Sequence, residues 1–178
     1  MNNPQESEDH PKNNDYQTIE QTMEKLAGGT RRLAAQLTPS ASFDSLWNVL
    51  TDYDRLNLYI PNLLSSKKIY QKNNNVHLKQ VGAQDFLGMK FSAEVTIDLF
   101  EDKDLGLLKF NLIKGDFRKF EGSWKIQKIK NTSKNSLIYD LTVQGCQWMP
   151  IGMIEKRLKK DLSENLIAVD RQAKLSTN

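Results

Sequence analysis

The 178-residue chain contains one cysteine, Cys146, and two histidines, His10 and His77. A single cysteine closes no internal disulfide, and a reducing compartment fits that usage. Cys146 reads as a small apolar filler at a strand end. With no Cys/His cluster at ligand spacing, neither a metal site nor a cofactor is expected. His77 is the one histidine outside the N-terminal segment that could activate a nucleophile. No Gly-x-Ser-x-Gly elbow and no phosphate-cradling glycine loop accompanies it. Aromatic residues make up 8% of the chain, mean hydropathy is −0.61, and no run approaches the roughly 18 apolar residues of a membrane span. The opening MNNPQESEDHPKNND is acidic and lacks a basic start followed by an apolar block. That speaks against a secretory signal or a transit peptide, so the expected location is cytoplasmic, at most peripheral to a membrane.

Charge is unevenly placed. Residues 1–29 carry six acids and two bases, net −4, and the rest carries 23 Lys+Arg against 16 Asp+Glu, net +7. A basic domain with an acidic tail can meet an anionic membrane, a ribosome or an acidic protein; solubility alone is the plainer reading. The tail, residues 1–29, is expected to be disordered through residue 16, where apolar side chains are almost absent. Residues 17–27 place Ile19, Met23 and Leu26 at helical spacing, which predicts a short, weakly held helix ended by Gly28-Gly29. Residues 30–178 form the expected domain.

Within that domain, Leu33, Ala35 and Leu37 share one face of a first strand, Arg31–Leu37. Ser42 or Asp44 can cap a helix whose Phe43, Leu46, Trp47 and Leu50 recur at i, i+3, i+4, i+7. A second short helix over Leu56–Ile60 stops at Pro61. Strands are then expected at Leu63–Gln71, Val76–Val81, Met89–Leu99, Leu105–Ile113, Phe117–Ile129 and Ser136–Val143, with turns at Asn73–Asn75, Glu101–Asp104 and Lys114–Asp116. The strand from Met89 alternates apolar and polar residues over its whole length, as a half-wetted antiparallel strand does. Pro150 opens a long helix in which Ile151, Ile154, Leu158, Leu162, Leu166, Val169 and Ala173 form one stripe. The expectation is an α+β fold: a curved antiparallel sheet of about six or seven strands around the C-terminal helix, with two short helices after the first strand.

The stretch Val49-Leu-Thr-Asp-Tyr-Asp-Arg-Leu-Asn-Leu-Tyr-Ile-Pro-Asn-Leu63 resembles the polyketide cyclase/dehydrase and lipid-transport family. This is the START-like (SRPBCC) superfamily that contains the coenzyme-Q-binding START-domain proteins. Phe120-Glu-Gly-Ser-Trp124 is similar to the family's Gly-x-Trp strand, and Pro150 through Leu166 to its closing helix. Small cyanobacterial and plastid members are the relatives it suggests. The resemblance covers about residues 31–175 and implies a helix-grip fold with a hydrophobic ligand between sheet and helix.

Glu94 and Asp98 fall on the polar face of their strand, Asp52 and Asp54 flank a helix break, and Asp116 and Glu121 are similar, so none forms a credible buried acid–base pair. Polar residues that could enter a cavity are Tyr139, Asn111, Gln144 and Arg157. The strand and helix faces supply more apolar surface than one helix covers, and ligand pockets are apolar with few polar groups. Phe91, Val95, Phe110, Trp124, Tyr139, Leu141, Ile154 and Leu158 are the expected lining, by alternation that a bulge would invert. The function expected is non-enzymatic binding or transport of a prenyl quinone, lipid or pigment. The alternatives are a ribosome- or protein-binding module and a cyclase/dehydrase-type enzyme.

Overall fold

A computed structural model describes the backbone of residues 18–86, 89–146 and 151–176, and their side chains except in 84–91 and 151–154. The chain runs β1 (Glu20–Lys25), β2 (Arg31–Leu37), α1 (Phe43–Thr51), a 3-10 helix (Tyr53–Leu58), β3 (Leu63–Lys72), β4 (Asn75–Phe86), β5 (Met89–Asp102), β6 (Leu107–Gly115), β7 (Lys119–Lys128), β8 (Asn135–Gln144) and α2 (Ile151–Leu175). One antiparallel sheet holds all eight strands in the order β1-β2-β8-β7-β6-β5-β4-β3. Strands β3 to β8 form a meander, and the single crossover sets β2 beside β8.

The expected strand count was one short, because residues 20–25 are a strand and not a helix. Glu20 to Lys25 pair residue for residue with Gln36 to Arg31. Ile19, Gln21 and Met23 lie on one strand face. Ile19 and Met23 pack on the core, while the Gln21 amide donates to the Lys159 carbonyl at 2.7 Å and to the Ser163 hydroxyl. Backbone pairing and a bond to α2 thus outweigh a helical spacing that had no second apolar row to support it. Residues 1–16, expected to be disordered, and Pro150 lie outside the described residues.

Two helices close the sheet. In α1 the Ser42 hydroxyl accepts from the Ser45 N–H at 3.2 Å, so Ser42 is the cap. Leu46, Trp47, Val49 and Leu50 are buried, and Phe43 stacks on Trp47. The second short helix spans Tyr53–Leu58, a little earlier than expected. The C-terminal half of α2 buries Leu162, Leu166, Val169 and Ala173 against α1, β2 and β8. Each fully buried leucine there contributes about 1.5–3 kcal/mol.

One buried charge anchors that half. Asp170 is 2% exposed and accepts from the Ser40 and Ala41 N–H groups at 2.9 and 3.0 Å. Its other oxygen lies 2.9 Å from Lys174 Nζ. The loop entering α1 is thereby pinned to the helix. Closer to the helix start, Arg31 Nε donates to Glu155 Oε2 at 2.8 Å, fastening the head of β2 to α2.

Gly122 explains the Gly-x-Trp pattern of β7. A Cβ built there would lie 2.0 Å from the Asp140 carbonyl oxygen and 2.9 Å from Phe110 Cζ. Only glycine permits this approach of β7 to its neighbours. The closeness also brings Trp124 face to face with Tyr139, their ring centroids 4.1 Å apart.

Candidate functional site

The N-terminal half of α2 does not meet the sheet as the other half does. Between them lies a cavity of about 310 Å³. The sheet side of its wall comes from β4 to β8, and its end from α1, the 3-10 helix and the turn Ile60–Leu63. Apolar side chains dominate, because the alternation of β5, β6, β7 and β8 turns one apolar face inward.

Six of the eight expected lining residues stand in this wall: Val95, Phe110, Trp124, Tyr139, Leu141 and Leu158. Phe91 and Ile154 fall outside the described side chains. The register of β5 against β6 shifts between Thr96 and Ile97, yet Val95 keeps its inward position. Phe117 and Phe120 extend the aromatic wall, with ring centroids 5.3 Å apart and Phe120 5.6 Å from Phe110.

Of the four polar candidates, Tyr139 and Arg157 line the cavity. Asn111 does not: it is exposed on the outer face of β6, beside Lys109, Glu121 and Ser123. The alternation that turns Phe110 inward turns Asn111 out. Gln144 is also elsewhere, its Nε2 donating to the Gly28 carbonyl at 2.6 Å. The surface reading of Glu94 and Asp98 agrees with their pairing to Lys79 and His77.

The polar residues Asn62, Gln80, Ser92, Asp161 and Asn165 also stand in the wall and were missed. Asp161 and Asn165 line the cavity with Arg157, at i, i+4 and i+8 on one face of α2. Asp161 Oδ1 lies 3.2 Å from Arg157 Nε and accepts from Asn62 Nδ2 at 3.1 Å. The Arg157 N–H is not directed at that oxygen, so the pair is an ion pair by proximity and Nε has no hydrogen-bond acceptor. Asn165 Oδ1 is shielded from solvent and has no donor. Tyr139 is 8% exposed, and among the described residues its hydroxyl makes no hydrogen bond. Burial first, and the Asp161 charge second, push the phenol well above its ordinary value, so it stays protonated. Tyr53, also in the wall, is held by a 2.6 Å hydrogen bond to Glu101, and burial likewise raises its pKa.

Among the described residues no group of three or more His, Cys, Asp or Glu is arranged to hold a metal ion, and no helix is long and apolar enough to cross a membrane.

A curved antiparallel sheet closed on a long C-terminal helix, with a chamber between them, is the START-like helix-grip fold. The chain belongs to the family described as polyketide cyclase / dehydrase and lipid transport, whose model matches residues 39–170. No curated protein matches the sequence. Solved structures of the same fold include the STAR-related lipid transfer protein of Xanthomonas axonopodis, 11% identical, over 91% of this chain and 97% of that one, with a TM-score of 0.75. Human StAR-related lipid transfer protein 5 is 6% identical over 90% and 84% of the two chains, with a TM-score of 0.71. The Zhui aromatase/cyclase of a Streptomyces species is 15% identical over 84% and 96%, with a TM-score of 0.66. At these identities the likeness is one of fold.

Proposed function

We propose that the protein binds and carries a hydrophobic small molecule, of the prenyl quinone, lipid or pigment kind, between the sheet and the N-terminal half of α2. The observation that carries this reading is the 310 Å³ cavity, apolar and aromatic on the sheet side, within the size range of ligand pockets. A space of this size leaves its lining side chains without the contacts that a filled core supplies. A guest restores those contacts. Family membership supports the same reading.

Turnover of the guest is the weaker alternative. Acid–base chemistry needs a group poised to exchange a proton. Asp161 is engaged by Arg157 and Asn62, and Tyr139 is held protonated.

Native mass spectrometry and solvent extraction of the purified chain test the proposal. A co-purifying apolar compound, or uptake of added quinone, lipid or pigment at one per chain, is expected. A protein that is empty and takes up none of them removes it.

A further inference from the structure

We propose that β1 is a strap beside the cavity: it ties down the N-terminal half of α2, and its release lets a guest in and out. The inference rests on the reading of the cavity as a binding chamber and adds how that chamber opens.

The two halves of α2 are fixed differently. The C-terminal half buries Leu166, Val169 and Ala173 and is pinned by Asp170 to Ser40 and Ala41. From Glu155 to Asn165 the only apolar residues are Leu158 and Leu162, and the sheet stands away across the cavity. Polar ties hold this half instead. On one flank Asn62 Nδ2 donates to Asp161 at 3.1 Å. On the other, β1 and the head of β2 reach Glu155, Lys159 and Ser163, which are spaced by four and so follow one side of the helix. Arg31 donates to Glu155 at 2.8 Å, and Lys25 Nζ stands 3.8 Å from the same carboxylate. The Gln21 amide donates to the Lys159 carbonyl at 2.7 Å and to the Ser163 hydroxyl.

β1 has little else to hold it or to hold. It is an edge strand of six residues, paired with β2 alone. Only Met23 among its side chains is partly buried, and none of the six stands in the cavity wall. Ordering the strand costs chain entropy that so little burial hardly offsets, which puts it at the low-stability end of the fold. Its bonds to α2 are exposed and individually weak. A tie of this kind releases without unfolding the rest. The pinned C-terminal half of α2 stays, and the N-terminal half swings away from the sheet. That half forms the wall opposite the sheet, so the swing widens the chamber. β1 also lies ahead of the stretch that the family model matches, residues 39–170.

Gln21→Val tests this. It removes both amide bonds and keeps a residue that favours a strand. In the full chain, hydrogen exchange of the 155–165 amides is expected to quicken about tenfold in the variant, with the 166–174 amides within about twofold. Stopped-flow fluorescence of the neutral dye N-phenyl-1-naphthylamine gives the rates of entry and exit. Both are expected to rise about tenfold together and leave Kd within about twofold, because residue 21 touches no guest and the strap is broken in the empty and filled states alike. Glu155→Gln, which weakens the Arg31 and Lys25 ties, is expected to act in the same direction and decides the matter where Gln21→Val does not fold. Unchanged exchange of the 155–165 amides overturns the strap. Quicker amide exchange with unchanged dye rates, or a faster exit alone, overturns its control of the cavity. In each of those cases the carrier reading stands. A parent chain that takes up no dye removes the carrier reading and the strap's control together.

Discussion

Two buried valines on neighbouring strands allow the cavity to be tested by stability alone. Val95 on β5 is 6% exposed and stands in the cavity wall. Val76 on β4 is 0% exposed and lies on the same interior face as Leu78 and Gln80, but outside the wall. Replacing either by phenylalanine adds four carbons. At Val95 they enter empty space, and at roughly 0.8 kcal/mol per buried carbon the gross gain is about 3 kcal/mol. Fixing the ring and adjusting the neighbours takes back part of it, leaving a net gain of about 0–2 kcal/mol. At Val76 the same carbons have nowhere to go, and overpacking costs about 1–3 kcal/mol. The two variants should therefore differ by about 1–5 kcal/mol, with opposite sign at the centre of the range. Urea unfolding resolves this readily, since m-values of roughly 1–3 kcal/mol/M turn it into a separation of about 0.3 M or more. Val95→Phe should also lose uptake of the apolar guest. Equal destabilisation of both variants would mean that the space beside Val95 is already filled by protein, and the reasoning from cavity to carrier would collapse.

Asp170→Ala leaves the Ser40 and Ala41 N–H groups without their acceptor and Lys174 without its partner. A loss of about 2–4 kcal/mol is expected in denaturant titration, and Asp170→Asn, which keeps one acceptor oxygen, should lose less. Glu155 responds to pH. Its hydrogen bond from Arg31, and then the nearby Lys25, Arg31 and Lys159 charges, hold its carboxyl below the ordinary 4.5. A folded-state value below the unfolded one contributes stability above pH 4.5 that is lost as pH falls through the folded value. Unfolding midpoints of the parent and Glu155→Gln should thus differ near neutrality and converge in acid; parallel curves would show that the Arg31 bridge contributes nothing.

The fold was largely legible because the strands after the 3-10 helix alternate cleanly and each ends in turn-forming residues. Met89 to Leu99 needed no more than its period to be read. The strand β1 was hidden by one residue. Ile19 and Met23 share a face with Gln21, and a glutamine in the middle of an inward face breaks the two-residue period. What remains, Ile19 with Met23, is a spacing of four, which imitates a helix. The glutamine is there to bond α2, and a contact to a helix some 140 residues further along leaves no local trace.

The candidate site was legible only on its apolar side, and α2 shows why. Leu158, Leu162 and Leu166 form one continuous row, and a sequence reader assigns the residues flanking such a row to solvent. That assignment holds only while the helix packs tightly on its partner. Along the C-terminal half it does, and the interior there is closed by leucines, Val169 and the anchored Asp170. Along the N-terminal half the sheet stands away, so the face turned to the protein is wider. Arg157, Asp161 and Asn165 then face the chamber together with Leu158 and Leu162. The signal was present once Arg157 was suspected of pointing inward, because steps of four from it reach Asp161 and Asn165. It went unread because nothing in the spacing tells how far away the opposite wall stands. One helix thus divides its work by length: the half that touches the sheet stabilises the fold, and the half that does not lines the cavity. Substitutions at Leu166, Val169 and Ala173 should accordingly act on stability, and those at Arg157 and Asp161 on uptake into the cavity.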